Sequence, residues 1–249
     1  ILPFINQPVV KILTGVRRSG KTCILRMIME ELLSQGVDAG QILFLGFDSL
    51  EHENMKTSVA LFREIRSRIA DNHKRTYLFL DEVQVIDLWE KAVNSLMSNY
   101  DVDVYVAGSD TQIVSQEGSI YLNGLCQFFS IFPLNFSEYL EIRKQYVKDP
   151  DVKAELMRFI RYGGFVSIHR SDCSGDEAYT MIRDIYHSII FADIIKSNKI
   201  RKIDQMERIV KYTFENVGQT FSALALHKYI KSQGRAMDVE TIYSYLEKL

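Results

Sequence analysis

The sequence predicts an α/β fold whose parallel sheet is covered on both faces, followed by a helical half. Three observations carry this. Up to residue 132, short β-rich runs alternate with helical stretches, the pattern of a layered α/β protein. Four of those runs are nearly continuous in apolar residues, as strands are when helices cover both sides of their sheet. Beyond Pro133 the alternation stops and only helical periodicity remains.

Taken in order, the first strand is 9–13, ending just before Gly15. A helix over 21–35 follows, with Ile24, Leu25, Ile28 and Leu32 on one side and Gly36 as its stop. The remaining strands fall at 41–47, 76–80, 102–107 and 128–132, and the intervening helices at 56–70 and 88–98. The second half reads as helices over 136–146, 151–162, 177–197 and 204–216, broken by Gly163-Gly164 and by 171–176. Two short helices then follow, over 221–231 and 238–249, joined by a turn at Ser232-Gln233-Gly234, with Asp238 as an N-cap. The last three helices have the order of a helix-turn-helix unit, and the sequence ends where a β-wing would begin.

The 249 residues carry a net charge of −2, with 47% hydrophobic and 25% charged residues. This is the profile of an ordinary globular chain with ample core material; it excludes a disordered tail, a collagen-like fibre and a disulfide scaffold. The near-neutral balance excludes a uniformly basic surface but leaves room for a local basic face. No apolar run reaches the ~18–20 residues of a bilayer-spanning helix, so no membrane association is expected. Cys23, Cys126 and Cys173 lack disulfide or zinc spacing, which points to a reduced, cytoplasmic setting. The opening Ile1-Leu2-Pro3 has no initiator Met, basic stretch or small-residue cleavage site, so no signal peptide is expected and the sequence reads as a piece of a longer chain.

The strongest chemical signal is Gly15-Val16-Arg17-Arg18-Ser19-Gly20-Lys21-Thr22, a G-x-x-x-x-G-K-[ST] match (Walker A) between a β-run and an amphipathic helix. The two glycines let the backbone wrap phosphate oxygens, with N–H groups directed inward at a helix N-terminus. Lys21 supplies a point charge for the β- and γ-phosphates, Thr22 a hydroxyl for Mg²⁺, and the Cys23 N–H can approach the α-phosphate. Fifty-nine residues after Thr22, the apolar run Tyr77-Leu78-Phe79-Leu80 ends in Asp81-Glu82, a Walker B pattern at the strand end where such sheets bind ligands. Asp81 is the candidate for Mg²⁺ and Glu82 for orienting the water that attacks the γ-phosphate. A further buried strand ends in Gly108-Ser109-Asp110, making Ser109 and Asp110 candidates for sensing the γ-phosphate or holding water, or simply a turn and helix cap.

These segments, with Leu80-Asp81-Glu82-Val83-Gln84, Tyr121-Leu122-Asn123-Gly124, Pro133-Leu134-Asn135-Phe136-Ser137-Glu138-Tyr139-Leu140 and Tyr162-Gly163-Gly164-Phe165, occur in an order that resembles the prokaryotic AAA-type P-loop ATPases whose Walker A reads G-x-R-R-x-G-K-[ST]. The resemblance implies an ATPase core over 1–135 with strand order 5-1-4-3-2, a helical connector or lid over 136–203, and a winged-helix segment over 204–249. It also implies ATP and Mg²⁺ as ligands. Three departures are visible. Leu125 stands where that family commonly has arginine in L-x-G-R; Asp110 replaces the asparagine of G-S-N; and Ser197 occupies the arginine position of D-I-V-x-R. Losing a transition-state arginine costs ~10³-fold or more in rate, so slow hydrolysis is expected unless Arg17, Arg18, Arg161, Arg170 or Arg201 compensates.

Residues 196–249 hold ten basic and six acidic side chains, and Lys228, Lys231 and Arg235 gather near the proposed turn. That pattern suits DNA phosphate contact, while exposed Glu240 and Glu247 in the last helix, with Ser244 beside them, argue against deep groove insertion. A protein partner or a homo-oligomer would fit the same segment. The five histidines show no metal-ligand spacing. Two functional readings result: an ATP hydrolase coupled to a winged helix, and a nucleotide-gated switch or DNA-binding regulator with little turnover.

Overall fold

The computed structural model describes residues 1–69, 74–109, 113, 120–122, 124–169, 175–196, 200–234 and 237–249, with only the backbone described at 192, 193 and 196. It forms two compact units, Ile1–Ile182 and Arg183–Leu249.

The first unit holds a five-stranded parallel sheet of β1 (Val10–Thr14), β2 (Ile42–Gly46), β3 (Thr76–Asp81), β4 (Val102–Gly108) and β5 (Cys126–Ser130). The order is β2-β3-β4-β1-β5, which read from the β5 edge is 5-1-4-3-2. Side-chain alternation explains the continuous apolar runs. Val10, Ile12, Leu78, Leu80, Val104 and Val106 enter one core, beneath α2 (Ser58–Arg68) and α3 (Trp89–Asn99). Leu13, Tyr77, Phe79, Tyr105 and Ala107 enter the other, beneath α1 (Lys21–Ser34). Leu25, Ile28 and Leu32 are the face of α1 that is buried there. Trp89 lies in the first core, its indole N–H donating to the Ile113 carbonyl at 2.9 Å.

Local chemistry sets the ends of these elements. Past α1, Gly36 takes φ +90°; its N–H reaches the Leu33 carbonyl and that of Val37 reaches Leu32, a Schellman closure. Thr57 caps α2 through the Ala60 N–H. β5 lies two residues earlier than expected, because pairing with β1 runs from Val10↔Cys126 to Thr14↔Ser130. The aromatic run that suggested 128–132 belongs to an edge, where Phe128 and Phe132 stay exposed.

After β5 come α4 (Phe136–Arg143), α5 (Val152–Tyr162), the short α6 (Val166–His169) and α7 (Gly175–Ser188). Asn135 and Glu138 form a reciprocal capping box at the start of α4, and that helix ends three residues earlier than the periodicity predicted. The expected helix over 177–197 is instead α7 followed by a π-helical stretch, Ile189–Lys196, whose wider winding brings Ile190, Ile194 and Ile195 into one core.

In the second unit that core also contains Ile200, Met206 and Val210. The helices α8 (Ile203–Glu215), α9 (Ala223–Ser232) and α10 (Val239–Leu246) share a further cluster of Ile209, Leu226, Ile230 and Ile242. Ser222 caps α9 and Asp238 caps α10, the latter accepting the Thr241 N–H at 2.6 Å. Lys228 and Lys231 are exposed, as are Glu240 and Glu247, whereas Ser244 is half-buried; Arg235 lies outside the described residues.

Candidate functional site

The strand order brings the site together. β3, β4 and β1 are neighbours, so the loops leaving their C-terminal ends converge although their sequences are far apart. After β1 the chain turns at Gly15, whose φ is +149° and where a Cβ would fall 2.1 Å from the Ile131 carbonyl oxygen. No other residue fits there without moving the β5 exit. Arg18 and Gly20 both take positive φ, and α1 starts at Lys21 with no side chain capping its N-terminus. The first N–H groups of that helix remain available to an anion.

Lys21 is 4% exposed and donates to the carbonyls of Gly15 at 2.9 Å and Val16 at 3.0 Å. The Thr22 hydroxyl, at the helix start, lies close enough to the Asp81 carboxylate at the end of β3 to favour its ionised form. Asp81 is 3% exposed, and its Oδ1 has no hydrogen-bond partner among the described residues. Burial pushes its carboxyl above the usual carboxylate range; the charges of Glu82 and Asp48 add to this, while the nearby Thr22 hydroxyl and the charge of Lys21 oppose it. A buried carboxylate with an idle oxygen beside a hydroxyl is a hard-donor pair suited to Mg²⁺, which takes few protein ligands and completes its shell with water and phosphate oxygens. Ser19 is also buried, its Oγ likewise without a partner among the described residues.

Glu82 follows at φ +55°, a left-handed turn that ends β3 and starts a 3₁₀ turn, Val83–Val85. Its Oε2 accepts from Gln84 Nε2 at 2.6 Å and from Ser109 Oγ at 3.0 Å, and lies 3.9 Å from Arg17 Nη2. An open cleft is lined by Arg18, Gly20, Lys21, Thr22, Cys23 and Glu82, and from the other side by Val166 and Ser167 of α6.

The predicted residues therefore sort into three groups. Arg18, Gly20, Lys21, Thr22, Cys23 and Glu82 line the cleft. Gly15, Val16, Arg17, Ser19, Asp81 and Ser109 support it from behind or beside, through the contacts above. Asp110 lies outside the described residues, as do Ser197 and Arg170. Sequence reasoning did not identify Gln84 or the α6 residues as part of the site. Gln84 stands within the segment that carries the family resemblance, but its role appears only when β4 lies beside β3. A four-residue helix carries no periodicity to find; its nearest signal was Gly164, where a Cβ would fall 2.1 Å from the Leu134 carbonyl oxygen.

Comparison with known proteins agrees with this architecture. An uncharacterized protein of Haemophilus influenzae is 27% identical over 249 residues, covering 100% of this chain and 62% of that protein. Uncharacterized protein MJ1544 of Methanocaldococcus jannaschii is 26% identical over 250 residues, covering 96% of this chain and 54% of its own length. The chain thus spans between half and two thirds of these relatives. Among solved structures, RuvB of Thermotoga maritima superposes with a TM-score of 0.50 at 15% identity, covering 96% of this chain and 80% of that one, a likeness of fold. A family model described as the AAA domain matches residues 7–140. With more than half of the chain inside that match, and with a β2-β3-β4-β1-β5 parallel sheet, this protein belongs to the AAA domain family.

Proposed function

We propose that the chain binds ATP with Mg²⁺ in the cleft and hydrolyses it slowly to ADP and phosphate, coupling the nucleotide state to the segment 204–249. The observation that carries the reading is buried Asp81, whose Oδ1 is idle among the described residues, with the Thr22 hydroxyl near its carboxylate and the cleft that Lys21 and Glu82 line beside it. A buried carboxylate without a cation is destabilising, so its place beside a phosphate loop supports a metal–nucleotide ligand.

In this reading the backbone from Gly15 to Cys23 cradles the phosphates, and Lys21 leaves its carbonyl acceptors for the β- and γ-phosphates. Thr22 and Asp81 would hold Mg²⁺, which would supply positive charge to offset that of the phosphates. Glu82 accepts a proton from the attacking water, and Ser109 steadies its carboxylate. Turnover is slow because Leu125 provides no cation at the position where related sequences carry arginine. Arg17 and Arg18 are the cations at hand: one faces Glu82 and the other lines the cleft. Arg161 and Arg201 are exposed side chains elsewhere.

A second reading, a nucleotide-gated switch with little turnover, is favoured by the same Leu125. Exposed Lys228 and Lys231 on α9 would give a winged-helix-like segment its DNA phosphate contacts, or a charged face for a protein partner. Glu82→Gln separates the two readings. Hydrolysis predicts that steady-state phosphate release falls ~10²–10⁴-fold while Mg-ATP still binds. Release that is negligible in the parent, and unaltered by the substitution, leaves the switch.

A further inference from the structure

We infer that Gln84 is a positioning residue for Glu82, holding one carboxylate oxygen so that the other faces the attacking water. The inference rests on the hydrolytic reading above and extends it to a side chain outside both the phosphate loop and the Asp81-Glu82 pair. Its basis is the unequal treatment of the two oxygens of one carboxylate. Oε2 collects every hydrogen bond that Glu82 receives among the described residues, from Gln84 Nε2 at 2.6 Å and Ser109 Oγ at 3.0 Å, with Arg17 Nη2 at 3.9 Å. Oε1 receives none among the described residues, and Glu82 lines the cleft. A general base needs a lone pair uncommitted to the protein and a fixed direction in which to offer it.

The rest of the arrangement serves that end. Gln84 Nε2 also lies 3.2 Å from Ser109 Oγ, so amide, hydroxyl and carboxylate form a closed triangle. The carboxylate can only accept, which fixes the amide with its nitrogen toward Glu82. The amide oxygen is then turned inward, where it is buried and has no partner among the described residues. A buried polar atom left unpartnered among the described residues is the kind of local departure that gathers at functional positions. The end of β4 makes room for it: a Cβ at Gly108 would fall 2.4 Å from Gln84 Oε1 and 2.5 Å from Ile113 Cδ1. With the left-handed turn at Glu82 and the 3₁₀ turn after it, the side chains at 82 and 84 come within hydrogen-bonding reach.

The test is a double-mutant cycle read by single-turnover phosphate release, with affinity for a non-hydrolysable ATP analogue plus Mg²⁺ measured alongside. Gln84→Met keeps the side-chain length and removes the donor. We expect about a tenfold loss in rate, the worth of one hydrogen bond to a charged group, with affinity within about twofold of the parent. In the Glu82→Gln background Gln84→Met is expected to change nothing, because no carboxylate remains to be positioned. A full parental rate in Gln84→Met overturns the inference; so does an equal loss in both backgrounds, or a loss of affinity matching the loss of rate. If Gln84→Met does not fold, Gly108→Ala displaces the amide from the other side, and the same rate loss without loss of affinity is expected. A parent that releases no phosphate overturns the hydrolytic reading and this inference together. A parent that does, loses it in Glu82→Gln and keeps it in Gln84→Met, overturns this inference alone.

Discussion

At the N-terminal end of the sheet, Lys11 of β1 and Asp103 of β4 are buried together; at its C-terminal end, Lys21 and Asp81 are buried around the cleft, with exposures of 0%, 2%, 4% and 3%. The first pair is closed. Asp103 accepts from Lys11 on one oxygen, and on the other from the Tyr105 hydroxyl at 2.8 Å and the Asn6 N–H at 3.0 Å. Lys11 also donates to the Gln7 carbonyl at 2.9 Å and lies over the Tyr105 ring. The second pair is open, with Asp81 Oδ1 and Ser19 Oγ idle among the described residues. The same residue types in the same sheet thus do two jobs. Where every acceptor is filled by the chain, buried charge ties the N-terminal segment to the strands; where acceptors are left over among the described residues, the arrangement is the one we propose for a ligand.

This contrast can be broken at either end. The largest effect is expected from Asp103→Ala, which leaves Lys11 buried without its counter-charge and removes acceptors from Tyr105 and Asn6. Unfolding in urea should show a loss of about 3–5 kcal/mol, with nucleotide affinity of the folded protein unaltered. A loss below about 1 kcal/mol would mean that the closed cluster is not structural. Lys21→Ala should do the reverse: an affinity for Mg-ATP about a hundredfold weaker by calorimetry, with an unfolding free energy within about 1 kcal/mol of the parent.

The smallest effect has an unusual sign. The Asp81 carboxyl is raised by burial, so the folded empty protein holds a proton that the unfolded chain releases near pH 3.8. Stability contributed by this group is therefore lost as pH rises from 3.8 through the raised folded value, and at neutral pH the ionised form is a burden. Asp81→Asn should stabilise the nucleotide-free protein by about 1 kcal/mol, or ~2–4 °C in melting temperature, and flatten that part of the pH dependence. The same substitution should abolish the extra stabilisation that Mg²⁺ adds to ATP binding. A variant that melts lower than the parent at neutral pH would count against the open-site reading.

Much of the core was legible because local rules and tertiary packing agree there. The runs at 76–80 and 102–107 are apolar at the positions that the two-sided sheet buries, Thr76 and Asp103 excepted, and the spacing of Leu25, Ile28 and Leu32 is the buried face of α1. Legibility failed where a neighbour sets the boundary. Register against β1 decided where β5 lies, and the burial of Ile190, Ile194 and Ile195 accompanies a change of helix type that no propensity scale contains. The lining residues Val166 and Ser167 sit on too short a helix to leave a pattern.

By itself, the sequence determined the α/β layering and marked out the Gly15–Thr22 loop and the Asp81-Glu82 pair as candidates, because each is a local pattern with a local physical cause: alternation across a pleat, glycine freedom, a helix start. Only the tertiary structure decided which polar groups meet. The order β3-β4-β1 brings Ser109 to Glu82, an empty Cβ position at Gly108 admits Gln84, and three strands' worth of loops bury Asp81 with one oxygen unused. Hydrogen bonding and desolvation act across space, between residues whose separation along the chain carries no trace of their contact.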